Sequence, residues 1–102
     1  MSVYIVGHIA IHDRERYSQY EAGFMPILQQ YGGQIVAVND APAVLEGVAD
    51  GRRLVILSFA DQTAALTWMR SPEYREIAKH RHAAADAFIL MTEEFAPPNV
   101  GA

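Results

Sequence analysis

The sequence predicts an α+β fold: one four-stranded antiparallel sheet with helices packed on a single face. Three observations carry this. Arg53-Leu54-Val55-Ile56-Leu57-Ser58-Phe59 is the longest clean β pattern in the chain, introduced by Asp50-Gly51 and followed by Asp61. Asp-Gly is a hairpin-type turn, and an Asp after a strand marks a helix start. Alternate strand residues point to opposite faces. Leu54, Ile56 and Ser58 therefore share one face, and Val55, Leu57 and Phe59 the other, both mostly apolar, so both need cover. Finally, the remaining segments supply helices for one side only.

The bulk properties bound the answer. A chain of 102 residues is one domain by length, expected over residues 1–95 with a C-terminal tail at 96–102. Hydrophobic residues make up 51%, slightly above the roughly 45–50% of ordinary globular chains, which fits a domain with extra sticky surface. The net charge is −4 and the Lys and Arg residues are scattered. Nucleic-acid binding needs a basic stripe, so that class is set aside. No apolar run approaches the ~20 residues of a membrane span. Met1 to Ile11 lacks a basic start and a small-residue cleavage site, so the cytoplasm is the expected location. The absence of Cys excludes disulfides, thiolate metal sites and a Cys nucleophile.

Val3 to Ile11 reads as the first strand, with Val3, Ile5, Ile9 and Ile11 on an apolar face and Tyr4, Val6, His8 and Ala10 on a mixed one. Gly7 marks a bulge or a close backbone approach. Asp13 caps a helix along which Tyr17, Tyr20, Phe24, Ile27 or Leu28, and Tyr31 recur at helical spacing. Pro26 predicts a kink near Gly23, and Gly32-Gly33 ends the helix. Gln34 to Asn39 is the second strand, and Ala43 to Glu46 a short extra one. Asp61 or Thr63 caps a helix from Ala64 to Arg70. Ser71-Pro72-Glu73 restarts it as a third, running to Ala85, because Pro loses nothing at the first helical position. Phe88 to Glu93 is the last strand.

The order βαββαβ is the ferredoxin-like arrangement. Right-handed crossovers give strand order 4-1-3-2. One sheet face is then bare, yet apolar, and a second copy of the chain is its simplest cover. The expected assembly is a homodimer through that face.

Tyr17, Tyr20, Tyr31-Gly32-Gly33, Leu45-Glu46-Gly47, Phe59, Trp68, Ser71-Pro72-Glu73-Tyr74 and Arg81, in this order and spacing over residues 3 to 94, resemble the bacterial domain-of-unknown-function family 1330 (DUF1330) of the dimeric α/β-barrel superfamily. The resemblance implies ferredoxin-like sheets paired face to face across a dimer. It implies no activity. Superfamily relatives include small monooxygenases, muconolactone isomerases and haem-degrading enzymes, whose functions do not transfer on fold alone.

The candidate site residues come from polar tips on apolar stripes. His8 is the candidate proton-moving group, against a plain structural role. Arg81 shares a helical stripe with Tyr74, Ile77 and Ala78. It either forms a structural ion pair, with Glu46 or Glu73, or anchors an anionic oxygen. Tyr20, Trp68 and Tyr74 are core rings that can also wall a pocket. His80 and His82 point roughly 200° apart on a helix and cannot chelate one ion there, and no metal site is expected. No cofactor is expected either, with haem on His80 or His8 the weaker alternative. The site is expected between helices and sheet, with Glu46 holding Arg81 when it is empty. The expected function is a small-molecule pocket, of a cofactor-free isomerase-like or monooxygenase-like enzyme on an organic acid. The alternative is a non-catalytic dimeric binding or interaction module.

Overall fold

The fold is seen in a computed structural model that describes residues 2–96, so all of the expected tail but Ala96 lies outside the described residues. The elements are β1 (Val3–Ile11), α1 (Arg14–Gln30), β2 (Gln34–Asn39), β3 (Arg53–Phe59), α2 (Gln62–Arg70), α3 (Pro72–Ala84) and β4 (Ala85–Glu93). The sheet order is β2-β3-β1-β4, with every neighbouring pair antiparallel, as expected from the element order.

The period of β1 orients the molecule. Val3, Ile5, Gly7 and Ile9 are buried, while Tyr4, Val6, His8 and Ala10 between them are only half-buried. The buried set faces the helices and joins Tyr17, Tyr20, Leu28, Leu57, Phe59, Ala65, Trp68, Tyr74 and Ala78 in one core. The other set, with Leu54 and Ile56 of β3 and Phe88 and Leu90 of β4, forms the open face by register. Phe88 is 48% and Leu90 55% exposed, so that face is apolar without cover from its own chain.

Each helix starts on a side-chain acceptor that satisfies a free amide of the first turn. Asp13 accepts from Arg16 N at 3.0 Å and Asp61 from Ala64 N at 2.8 Å. Ser71 serves two helices. Its hydroxyl donates to the Trp68 carbonyl at 2.8 Å and accepts from Tyr74 N at 3.1 Å. That one hydroxyl places the Trp68 and Tyr74 rings side by side.

α1 runs as one helix from Arg14 to Gln30 with Pro26 inside it. The structure departs from the sequence reading in two places. β4 begins at Ala85, three residues before Phe88, because Ile9, Ala10 and Ile11 of β1 pair with Ala87, Asp86 and Ala85. Pairing overrides the weak β propensity of those residues. Residues 43–46 form no strand: Asn39 Oδ1 accepts Ala41 N at 2.9 Å, the chain turns off the sheet, and 40–52 is irregular. No helix among the described residues is long and apolar enough to cross a membrane.

Two adjacent glycines end α1 for different reasons. Gly32 has φ +78°, where L side chains are strained, and open space around it. Gly33 is buried, and a Cβ there would run into Leu28 and the Phe59 ring. Gly33→Ala should lower the unfolding free energy by about 1–3 kcal/mol through overpacking, and Gly32→Ala by about 1–2 kcal/mol through backbone strain alone. Urea unfolding followed by circular dichroism measures both, and an unchanged Gly33→Ala would refute the packing account.

Candidate functional site

A cavity of about 160 Å³ lies between the helix layer and the sheet. Ile5, Gly7 and Ile9 of β1, with Val55 and Leu57 of β3, form its floor. Gly7 keeps the register unbroken and leaves the floor open where a side chain would stand. Tyr17, Tyr20 and Phe24 of α1 cover it, and Trp68 and Tyr74 also line it. Met25, Ile35 and Val38 line it too and are 39%, 41% and 42% exposed, which puts the mouth between α1 and the edge strand β2.

The rings pack on one another. The Trp68 and Tyr74 centroids are 4.2 Å apart, Phe24 stands edge-on to Trp68 at 6.0 Å, and Phe59 lies 5.3 Å from Trp68. The Tyr20 and Tyr74 hydroxyls are 2.8 Å apart in a buried hydrogen bond that ties α1 to α3. Burial, and then the neighbouring Tyr74, hold the Tyr20 hydroxyl well above its usual ionisation range. Burial raises Tyr17 as well, against the lowering pull of Arg53. Both phenols are therefore protonated at neutral pH, as hydrogen-bond partners and not as bases.

The cavity has one cation in its wall. Arg53, only 15% exposed along its side chain, pairs with Glu21 of α1 at 3.2 Å and with Asp40 at 3.3 Å. Its guanidinium lies 5.7 Å from the Tyr17 ring centroid. Its Nε is buried and has no partner, and the same holds for the Trp68 indole Nε1. Buried donors without acceptors are rare in native structures, and each has a desolvation cost. Here both belong to residues that line one cavity.

The expected site residues divide into two groups. Tyr20, Trp68 and Tyr74 come together in the cavity wall. Arg81 stands behind them: it is 7% exposed, its guanidinium lies 5.7 Å from the Tyr20 ring, and its Nε has no partner. It does not line the cavity. Glu46 is exposed on the 40–52 connection, and no ion pair joins it to Arg81. Glu73 instead accepts the Tyr31 hydroxyl at 2.7 Å. His8 is not in the site. Strand alternation places it on the open face, stacked on Phe88 with centroids 4.6 Å apart, whereas the cavity floor is made by its neighbours Gly7 and Ile9. His80 Nδ1 accepts from Arg16 Nε at 2.9 Å. Among the described residues no three His, Asp or Glu side chains come together as metal ligands.

Arg53 and Glu21 escaped the sequence reading. Arg53 opens the central strand and was given no face, yet it shares the period of Val55, Leu57 and Phe59, which assigns it to the helix side. That phase was the available signal.

The raised tyrosines set a pH dependence. Their protonated forms stabilise the fold in full below the unfolded tyrosine value of about 10. That stability is lost as pH rises through and above it, because the unfolded chain releases protons that the folded chain retains. Urea stability should therefore fall from pH 9 to pH 11. Tyr20→Phe should flatten the fall while lowering stability at pH 7 by about 1 kcal/mol for the lost hydrogen bond. An equally steep fall in Tyr20→Phe would contradict the assignment.

Comparisons with known proteins agree with this architecture. RPA0582, a protein of unknown function from Rhodopseudomonas palustris, superposes with a TM-score of 0.78 at 23% identity, over 94% of this chain and 84% of that one. SnoaB, a cofactor-independent oxygenase from Streptomyces nogalater, superposes with a TM-score of 0.60 at 14% identity, over 99% and 98%. A dimeric ferredoxin-like protein of unknown function from Jannaschia sp. CCS1 gives 0.66 at 12% identity, over 92% and 100%. At such identities the likeness establishes the ferredoxin-like fold alone. No functionally curated protein matches the chain. Residues 2–95 match the family described as a domain of unknown function, DUF1330, and the chain belongs to that family.

Proposed function

We propose that the protein, a single domain over residues 1–95 acting in the cytoplasm, is a homodimer joined through its open sheet faces. Each protomer binds one small, ring-bearing organic molecule in the helix–sheet cavity. The observation that carries the binding reading is the pair of buried, unpartnered donors, Trp68 Nε1 and Arg53 Nε, on residues lining an otherwise ring-lined apolar space. A cavity of about 160 Å³ matches one aromatic ring, since a cavity of ~150 Å³ accepts benzene. The two donors call for an acceptor oxygen on that ring.

Charge refines the ligand. The cation in the wall already carries two carboxylates, Glu21 and Asp40. An anionic ligand, expected when Arg81 was taken as the anchor, would have to displace one of them, and Arg81 lies outside the lining. A neutral ketone, quinone or phenol needs no displacement. The homodimer reading is supported by the uncovered apolar face, since monomers seldom expose more than a few hundred Å² of such surface, and by the dimeric likeness from Jannaschia.

One arrangement favours catalysis over plain binding. N–H donors beside an apolar cavity stabilise an oxygen as it gains negative charge, and the Glu21 carboxylate belongs to the same lining. A cofactor-free isomerase-like or monooxygenase-like reaction on an enolisable ligand fits that pair. The non-catalytic binding module uses the same geometry without turnover.

Calorimetry with acetophenone, ethylbenzene and benzoate tests the reading. Acetophenone should bind tighter than ethylbenzene by about tenfold, the worth of one good hydrogen bond, and Trp68→Phe should erase most of that gap. Benzoate should bind least. Benzoate binding tightest, with the preference lost in Arg81→Met, would restore the anionic ligand. No binding of any ring would overturn the cavity reading.

A further inference from the structure

We infer that the connection 40–52 is an arm that grips the second copy of the chain. The inference rests on the sheet-face homodimer proposed above and extends it to a segment outside the sheet. Irregular connections of this length are uncommon in compact domains and usually carry a function.

This connection is held at both ends and apolar in the middle. At one end Asn39 Oδ1 accepts Ala41 N, and Asp40 pairs with Arg53. At the other, Asp50 accepts from the Arg52 backbone N–H at 3.2 Å and from its Nε at 2.6 Å. Between them Leu45 is 96% and Val48 101% exposed, so neither touches its own chain. Val44 adds a third apolar side chain at 52%. An ordinary solvent loop has no need of this pattern, and both large side chains are left in water at an avoidable cost.

The C-terminal end of the arm, at Arg52, lies on the open sheet face. Arg52 donates from NH1 to the Asp86 carbonyl at 3.3 Å, and its guanidinium stands 5.5 Å from the centroid of the Phe88 ring. Phe88 and Leu90 are the exposed side chains of that face. Arm and face thus meet at Arg52, and a copy seated on the face adjoins that end of the arm. In a two-fold dimer the contact is reciprocal, each copy presenting the same surface. The occupant that covers both is therefore a second copy of this chain.

Sedimentation equilibrium of the wild-type chain, the double variant Leu45→Ser with Val48→Ser, and Leu90→Asp tests this. The arm residues contact nothing in their own protomer, so the double variant should keep the wild-type circular dichroism spectrum. The wild type should be dimeric at micromolar concentration. The double variant should raise the dimer dissociation constant at least about a hundredfold, since each arm loses two buried aliphatic side chains. Leu90→Asp should dissociate the dimer as well. If Leu90→Asp dissociates the dimer and the double variant does not, the face is the interface and the arm inference is wrong. A dimer indifferent to both uses another surface, which also overturns it. A wild-type monomer overturns the sheet-face reading and the arm with it.

Discussion

One sheet with two apolar faces and helices for only one of them is the constraint on which the rest of this structure depends. The two-residue period of β1 divides the molecule. Val3, Ile5, Gly7 and Ile9 go under the helices, and Tyr4, Val6, His8 and Ala10 go to the open side. Every functional assignment follows that division. The cavity, with its rings and buried donors, belongs to the helix side. His8, stacked on Phe88, belongs to the face that asks for a partner. A shift of β1 by one residue would exchange the two sets and destroy both surfaces.

On the helix side, a few polar contacts hold the rings around an open space. Ser71 joins the end of α2 to the start of α3 and so sets Trp68 beside Tyr74. The Tyr20–Tyr74 bond then ties α1 to α3 across the cavity's cover. Arg53 fastens β3 to α1 through Glu21 and to the root of the 40–52 connection through Asp40. The space is thus bordered by satisfied hydrogen bonds, while Trp68 Nε1 and Arg53 Nε are left without partners.

The topology was legible in the sequence because it rests on strong periodic signals. Arg53 to Phe59, Val3 to Ile11, the Tyr17–Tyr20–Phe24 stripe and Ser71-Pro72 each carry a local cause for their conformation. The site was legible in part. Tyr20, Trp68 and Tyr74 were found as polar-tipped rings on stripes that face one another. His8 was misplaced because a polar residue on a mixed face was set against the helices, although its own strand phase assigns it to the other side. Glu46 was set beside Arg81, yet it lies on an irregular connection that has no period to read. Arg81 was read as an ion-pair partner of Glu46 or Glu73 or as an anchor for an anionic oxygen, but its depth behind Tyr20 depends on how α1 meets α3, which a single sequence does not encode locally.

The division of the two faces can be tested in one titration. The chain has a single Trp, so its indole N–H gives one resolved proton resonance in a nitrogen-correlated spectrum, and the ring protons of His8 report on the open face. Addition of acetophenone should move the Trp68 indole resonance downfield, as its N–H gains an acceptor, and leave the His8 ring signals in place. Movement of His8 with a stationary Trp68 resonance would put the ligand on the open face and contradict the account.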